Sequence, residues 1–275
     1  MVIEISSDSR IDINHHFRVS AGPGAGKTHW LSLHVSHVLK DSESLGKMGK
    51  VACLSYTNVG ADTLMGRMYE DRSRVLSCTI HSFLYAYIVK PYLHFIATDE
   101  GFNIELLNGE DDRILSDYNT FEEIRKAVKQ YYAEQDATFT AIRAAKWKLQ
   151  EDGSLKCYAN PPKKCCKKGY ALNENAYVVY KKLAWKKGYM HYDDVLYFSY
   201  KLIQKYPFIS RTLAIQFPYV FIDEFQDTNP IQAKIIKSLG ENGAIVGVIG
   251  DYAQSIYGFL GADPNQFASF TLDGL

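Results

Sequence analysis

The chain has 275 residues, and 47% of them are hydrophobic, which is enough apolar material for a substantial folded core. Its 31 basic residues are balanced by 31 acidic ones, so any nucleic-acid binding must come from local patches and not from global charge. No apolar run approaches the ~18 residues that a membrane-spanning helix needs. Together with five cysteines that lack the spacing of a disulfide framework, these features predict a globular cytoplasmic protein without a membrane partner.

Residues 20–28 have the pattern of a phosphate-binding loop between a short apolar run and a helix-like segment. Small residues let backbone N–H groups turn toward a phosphate chain at a helix N-terminus. Lys27 is expected to reach the terminal phosphates, and the Thr28 hydroxyl to hold Mg²⁺. A glycine-rich turn before a helix is the alternative interpretation. The predicted nucleotide-binding residues are Ala21, Gly22, Pro23, Gly24, Ala25, Gly26, Lys27 and Thr28.

Short apolar runs alternate with helix-like segments before residue 98, which predicts a parallel sheet covered by helices. Residues 51–55 and 75–80 have the length of buried strands, and residues 61–69 between them have a helical pattern. Polar residues follow both runs, and ligands of such sheets bind at the carboxyl ends of the strands. The residues in those places are Tyr56, Thr57 and Asn58 after the first run, and His81 and Ser82 after the second.

Residues 98–188 have a different character, which indicates an insertion into the sheet domain. Residues 121–132 and 140–149 are charged and helix-like, and residues 151–170 are rich in turn formers. Between residues 143 and 187, twelve basic residues stand against three acidic ones. The segment suits a nucleic-acid backbone with stacked bases, while a solvated lysine face over an aromatic core is the alternative. The interleaved aromatic residues are Trp147, Tyr158, Tyr170, Tyr177, Tyr180 and Trp185.

The chain then returns to the sheet, and its next strand candidate ends in two carboxylates. The apolar run 217–222 leads directly into Asp223 and Glu224, and residues 244–249 form the last predicted strand. Following a phosphate loop, Asp223 would hold Mg²⁺ through water, and Glu224 would polarise the water that attacks the γ-phosphate. Gln254, just after the last strand, would lie where it could sense that phosphate.

Six strings in this order resemble the first motor domain of UvrD/Rep-type superfamily 1 DNA helicases. The Asp-Glu-Phe-Gln-Asp-Thr-Asn-Pro and Gln-Ser-Ile-Tyr-Gly-Phe strings are far more selective than the phosphate loop. The resemblance implies an α/β fold of the RecA-like P-loop NTPase type, with a parallel sheet flanked by helices and an inserted, mainly helical subdomain. Its implied boundaries are 1–97 and 189–275 for the two parts of the ATP-binding domain and 98–188 for the basic insertion. The six strings are residues 21–28, 54–58, 79–83, 192–196, 223–230 and 250–262.

The resemblance also implies an activity, namely ATP hydrolysis coupled to binding of single-stranded DNA and movement along it, with ATP and Mg²⁺ as cofactors. Lys27, Glu224 and Gln254 would be catalytic, and Thr28 and Asp223 would hold the metal. Rings near the last strand would stack bases, an interaction worth about 1–3 kcal/mol per base that does not read sequence. The implied DNA contacts are Tyr56, Thr57, Asn58, His81, Ser82, Tyr257 and Phe259.

Three departures from the family pattern affect these expectations. Residues 1–20 contain no glutamine to read adenine, and Leu260 stands where the family has arginine. The sequence ends at Leu275, before the second motor domain that supplies transition-state arginines in the family, so a separate chain carrying that domain is an expected partner.

Two other functions stay open at this point. A non-motor ATP- and DNA-binding switch or partner subunit would show negligible turnover by itself. A P-loop kinase or small-molecule ATPase is disfavoured, because such enzymes do not require the Thr-Asn, His-Ser-Phe and Gln-Ser-Ile-Tyr strings together.

Overall fold

The structure is a computed structural model, and it describes residues 4–22, 24–67, 72–251, 267 and 269–272. Within these residues, seven strands form a five-stranded and a two-stranded sheet. The strands are β1 (Phe17–Ser20), β2 (Val51–Ser55), β3 (Val75–Thr79), β4 (Lys146–Leu149), β5 (Leu155–Tyr158), β6 (Tyr219–Ile222) and β7 (Ile245–Gly250).

Helices make up most of the remaining regular structure. The α-helices are α1 (Lys27–Asp41), α2 (Asn58–Arg67), α3 (Ile80–Leu84), α4 (Lys90–Tyr92), α5 (Ala97–Glu100), α6 (Tyr118–Ala127), α7 (Gln135–Arg143), α8 (Glu174–Lys186), α9 (Tyr192–Lys205), α10 (Phe208–Gln216) and α11 (Pro230–Glu241). One π-helical turn spans Tyr85–Val89, and 3₁₀ turns span Arg72–Arg74, Leu93–Phe95, Ile104–Leu106 and Phe225–Asp227. Among the helices of the described residues, none is both long enough and apolar enough to cross a membrane.

The larger sheet is entirely parallel, with strand order β1-β7-β6-β2-β3. Every residue of β2 and of β6 is buried, as expected for central strands that helices cover on both faces. Parallel strands place all their carboxyl ends at one edge of the sheet, so the polar residues that follow them converge there. The predicted parallel α/β fold is confirmed.

The helix that follows the phosphate loop packs its apolar face on the sheet. The rings of Phe17 and Trp30 meet edge-on with centroids 5.5 Å apart, and His34 stacks on Trp30 at 5.1 Å and packs against Phe221 at 5.2 Å. Burial lowers the pKa of His34 to about 4, and nearby His37 adds to the effect, so the imidazole is neutral at pH 7. The buried residues of α1 recur at helical spacing: Trp30, Leu31, Ser32, His34, Val35 and Val38.

Local sequence fixes where α11 begins, directly after the predicted acidic motif. The Asn229 side chain accepts from the Gln232 backbone N–H at 2.9 Å, and Gln232 Oε1 accepts from the Asn229 backbone N–H at 3.0 Å. This reciprocal capping box and Pro230 at the first helical position both favour a helix start at that residue. Helix α11 therefore begins at Pro230, directly after the predicted acidic motif.

The chain forms two compact units. The first consists of Met1–Ile88 and Ile203–Leu275 and contains the five-stranded sheet; the second is Val89–Leu202. The second unit is mainly helical, and β4 and β5 form an antiparallel ladder in it. The segment predicted as an insertion, residues 98–188, falls inside the second unit, which extends beyond it at both ends.

Part of the insertion differs from the sequence-based prediction. Residues 140–149 were expected to be one helix, but α7 ends at Arg143 and Lys146–Leu149 is strand β4. Most of the aromatic residues expected beside DNA are in the core instead, because they lie on the inner faces of the elements. Trp147, Tyr177, Tyr180 and Trp185 are buried, Tyr158 is half-buried and Tyr170 is 54% exposed.

A buried ionic cluster joins three elements of the second unit. Asp194 of α9 is fully buried; its Oδ1 accepts from Lys181 Nζ at 2.8 Å and from Trp147 Nε1 at 2.9 Å. Its Oδ2 accepts from Trp185 Nε1 at 3.0 Å and from the His191 backbone N–H at 3.1 Å. Burial alone would raise the pKa of Asp194, but Lys181 and His191 hold it well below the usual range. The cluster thus links β4, α8 and α9 through one carboxylate.

Candidate nucleotide-binding site

The predicted phosphate loop connects β1 to α1 at the carboxyl edge of the sheet. The Ala21 N–H donates to the Gly250 carbonyl at 3.1 Å, which fixes the start of the loop against the end of β7. Gly24 and Gly26 have φ angles of 70° and 82°, a left-handed conformation that glycine adopts without steric cost. Within the described residues, no side chain caps the N-terminus of α1. Its first N–H groups are the kind that bind phosphate at helix N-termini.

Both side chains predicted to serve the phosphates lie on the first turn of α1. Lys27 Nζ donates to the Ala21 carbonyl at 3.1 Å, so the ammonium lies over its own loop. The Thr28 hydroxyl donates to Asp223 Oδ2 at 3.5 Å, which brings together the two residues predicted to hold metal. The loop and the acidic strand end therefore form one site, although they are far apart in sequence.

Asp223 lies at the buried end of β6. Its backbone N–H donates to the Leu54 carbonyl of β2 at 2.8 Å, and the residue is 8% exposed. Burial raises the pKa of Asp223 to about 6, and the adjacent Glu224 carboxylate adds to the increase, while Lys27 and Thr28 oppose it. A cation beside these two acids would favour their charged forms.

The donor set fits Mg²⁺. A hydroxyl from Thr28 and a carboxylate from Asp223 are the hard oxygen ligands that this ion prefers. The described residues contain no group of three or more His, Cys, Asp and Glu placed to hold a metal ion. Two protein ligands still suit Mg²⁺, because the ion commonly keeps several waters and takes further ligands from substrate phosphates.

Glu224 follows with an unusual backbone conformation. Its φ of 55° is in the left-handed region, which costs a non-glycine residue about 1–3 kcal/mol and persists only where surrounding contacts hold it. Its carbonyl accepts from the Asp227 N–H at 3.0 Å, and its Oε2 accepts from Gln226 Nε2 at 2.6 Å. Gln226 Oε1 in turn accepts from the Asp251 N–H at 2.9 Å. Sequence reasoning did not identify this link, since only the fold brings Asp251 to the acidic turn.

Two of the predicted DNA-contact segments leave the same sheet edge side by side. β2 and β3 pair in parallel with Ser55 opposite Thr79, so the residues that follow each strand are neighbours. Thr57 and Asn58 are exposed at the start of α2, and Tyr56 is half-buried. These three residues therefore follow a strand end beside the one that carries the acidic turn, because β2 is also the neighbour of β6.

The segment after β3 exposes only one of its two predicted DNA-contact residues. Thr79 caps α3 by accepting from the Ser82 N–H at 3.1 Å and donates its hydroxyl to Ser82 Oγ at 2.8 Å. Ser82 is exposed, whereas His81 is only 5% exposed. The structure as it stands therefore offers Ser82, and not the His81 ring, to a ligand at this edge.

Some predicted site residues lie outside the described part of the chain. They are Pro23 of the phosphate loop, Gln254, Tyr257 and Phe259.

Comparison with known proteins gives the same assignment over nearly the whole chain. The family described as UvrD/REP helicase N-terminal domain matches residues 7–273. The ATP-dependent DNA helicase srs2 of Schizosaccharomyces pombe is 26% identical over an alignment of 278 residues, which covers 94% of this chain and 30% of that protein. The ATP-dependent DNA helicases PcrA of Leuconostoc citreum and of Staphylococcus aureus (strain Mu50) are 24% and 25% identical over 93% of this chain.

The chain spans about a third of the length of these relatives, 30% to 34%. The family match extends on both sides of the insertion and includes the phosphate loop, the acidic strand end and the segments after β2 and β3. The predicted family resemblance is confirmed, and the chain belongs to the UvrD/REP helicase N-terminal domain family.

Proposed function

We propose that this chain is the ATP-binding part of an ATP-dependent DNA helicase or translocase, which couples ATP hydrolysis to binding of single-stranded DNA and movement along it. One observation carries the proposal: the phosphate loop, the Asp223–Glu224 pair and the exposed residues after β2 and β3 share one sheet edge. The relatives named as ATP-dependent DNA helicases support the same activity.

The chemistry follows from what each side chain can reach. In-line transfer of the γ-phosphate builds charge on its equatorial oxygens and needs an oriented water. Lys27 would leave the Ala21 carbonyl and pair with the phosphates, and Glu224 would accept a proton from the attacking water. Thr28 and Asp223 would hold Mg²⁺, which supplies positive charge to the phosphate oxygens when bound. Gln254 is proposed as the γ-phosphate sensor.

Single-stranded DNA would lie along the neighbouring strand ends. Thr57, Asn58 and Ser82 are exposed there and can donate hydrogen bonds to phosphate oxygens. Tyr56 and His81 are proposed to complete this contact, and Tyr257 and Phe259 to stack bases. Such contacts hold a strand without reading its sequence, which a translocating enzyme requires.

A second RecA-like domain is the proposed partner, either on another chain or in sequence beyond residues 1–275. Arginine residues placed on the γ-phosphate in trans typically increase phosphoryl-transfer rates by 10³–10⁵. Stepping along DNA also needs a second grip that opens and closes against the first.

Two substitutions separate binding from chemistry. Lys27→Ala should weaken Mg-nucleotide binding, because it removes the cation that pairs with the phosphates. Glu224→Gln should keep nucleotide affinity within about threefold and lower turnover by roughly 10²–10⁴-fold, the range for loss of a general base. Titration with a fluorescent nucleotide and a steady-state ATPase assay measure both quantities.

Equal loss of nucleotide binding in both variants would contradict the role proposed for Glu224. Turnover that stays negligible with DNA and with a second domain present would favour the non-motor switch over the motor.

A further inference from the structure

We propose that Gln226 is a positioning residue, which holds the Glu224 carboxylate in its working orientation and ties it to the end of β7. The inference rests on the proposed function, because it concerns the group that would activate the attacking water. It adds a residue to which the motif analysis gave no role.

The amide of Gln226 is placed between two elements of the site. Its Nε2 donates to Glu224 Oε2 at 2.6 Å, and its Oε1 accepts from the Asp251 N–H at 2.9 Å. Gln226 is 2% exposed; its bond from the Asp251 N–H is buried, and its bond to Glu224 is partly buried. An amide that donates with one end and accepts with the other is the side chain that this place requires, since its partners are a carboxylate and a backbone N–H.

The backbone at Glu224 explains why such a support is needed. A left-handed φ of 55° at a non-glycine residue persists only where surrounding contacts over-determine it. The bond from the Asp227 N–H holds the main chain of the turn, and the bond from Gln226 holds the side chain. Without Gln226, the carboxylate would be free to rotate away from the direction in which it meets water.

Gly250, the last residue of β7, shows how closely the Gln226 amide approaches the strand end. A Cβ at this position would overlap Gln226 Oε1, although the glycine has no left-handed backbone conformation to require it. The end of β7 is therefore shaped around the Gln226 amide. Movement at the end of β7 would be transmitted to Glu224 through the Gln226 amide. In the same way, a change at Glu224 on nucleotide binding would be transmitted to the end of β7.

Gln226→Met tests the proposal, because it keeps the side-chain length and removes both hydrogen bonds. We expect nucleotide affinity to stay within about threefold and kcat to fall by roughly 10–100-fold, the usual effect of losing a group that orients a functional residue. Amide exchange at Asp251 in the nucleotide-free protein should become faster, because its acceptor is gone. Gly250→Ala should also lower kcat, and it leaves the Gln226 and Glu224 side chains unchanged. This variant tests the proposal if Gln226→Met does not fold.

The matched control is Gln232→Met. Gln232 is also a buried glutamine, at 5% exposure, but its amide caps α11 and does not bond to Glu224. We expect lower thermal stability without a fall in kcat. A double variant is the most stringent test. If Gln226 acts through Glu224, adding Gln226→Met to Glu224→Gln should not lower kcat any further.

Several outcomes would overturn the inference. They are an unchanged kcat in Gln226→Met, parallel loss of nucleotide binding and turnover, or an equal further loss in the Glu224→Gln background. If the unsubstituted chain hydrolyses no ATP even with DNA and a second domain, the proposed function fails and this inference fails with it. Failure of the Gln226 inference alone can be distinguished from failure of the proposed function, because the three variant results can be obtained only with an unsubstituted protein that hydrolyses ATP.

Discussion

His34 is a titratable residue buried in the core of the first unit, stacked on Trp30 and packed against Phe17 and Phe221. Its Nδ1 finds no hydrogen-bond partner within the described residues. The folded chain therefore holds the imidazole neutral, with a pKa of about 4 against 6.5 for the ordinary group. Folding is then linked to the protonation of this one residue.

The first prediction follows from the sign of that linkage. Below pH 6.5 the unfolded chain binds a proton at His34, whereas the folded chain keeps this imidazole neutral. The free energy of unfolding therefore falls as the pH drops from about 6.5 to about 4. The loss should be about 3 kcal/mol, since each pKa unit corresponds to about 1.36 kcal/mol. Urea denaturation between pH 7 and pH 4 measures it, with His34→Phe as the non-titrating control. Identical pH slopes in the two proteins would contradict the prediction.

At the residue scale, sequence predicts those groups whose roles depend on local pattern. Lys27 and Thr28 follow from the loop string, and Asp223 from an acid at the end of an apolar run. In the structure the Thr28 hydroxyl donates to Asp223 Oδ2 at 3.5 Å, and their role in holding Mg²⁺ stays a prediction. The positioning role proposed for Gln226 could not be predicted, because its Oε1 accepts from Asp251, which is brought there only by the β6–β7 pairing.

At the element scale, the sequence of α8 indicates that its aromatic residues pack in the core, although they were predicted to lie beside DNA. Its buried residues recur four apart, in the pattern of one helix face packed on a core. That spacing favoured the alternative of an aromatic core under a lysine-bearing surface. The residues concerned are Ala176, Tyr177, Tyr180, Lys181, Ala184 and Trp185.

The second prediction concerns the one lysine on that inner face. Lys181→Met should lower the free energy of unfolding by about 3–5 kcal/mol, because it leaves the fully buried Asp194 carboxylate without its cation. Lys182→Met, on the exposed face of the same helix, should change it by no more than about 0.5 kcal/mol. Chemical denaturation of both variants checks the difference. Similar small changes in the two would show that the buried pair does not stabilise the unit.

The third prediction concerns the exposed lysines of the turn-rich segment. Lys163, Lys164, Lys167 and Lys168 are all exposed, so they can bind phosphates and release counterions. Lys167→Glu with Lys168→Glu should weaken binding to single-stranded DNA and reduce its salt dependence. Lys47→Glu with Lys50→Glu, before the amino end of β2, is the control with equal charge change. Equal effects of the two pairs would favour the alternative, in which the segment is a solvated lysine surface without a specific role in DNA binding.

At the scale of the whole molecule, the sequence pattern predicts an insertion into the sheet domain at residues 98–188, and the structure divides the chain into Met1–Ile88 with Ile203–Leu275 and Val89–Leu202. The return of a strand candidate at residues 217–222 with a matching acidic motif indicates that one domain is built from two segments. The structure places the change of unit at Ile203, inside α9, where a continuous helix gives no break in composition. Composition therefore does not mark this boundary between the units, and the insertion bounds of 98–188 stay a prediction.

The fourth prediction is that residues 1–275 alone will not separate a DNA duplex. The candidate nucleotide site of the described residues lies on one sheet unit, whereas stepping along DNA needs two grips that move against each other. A strand-displacement assay with a single-stranded loading tail measures this. Addition of a second RecA-like domain should produce displacement, and robust displacement by residues 1–275 alone as a monomer would contradict the proposed need for that domain.

The most direct test of the central claim is the ATPase rate of residues 1–275 with and without single-stranded DNA. If the nucleotide and the DNA share one sheet edge, DNA bound beside Thr57, Asn58 and Ser82 should stimulate the slow ATP hydrolysis for which Glu224 is the proposed general base. We expect a rate that rises with DNA, depends on Mg²⁺ and disappears in Glu224→Gln while nucleotide binding remains. A rate that is the same with and without DNA, or the same in Glu224→Gln, would contradict the claim.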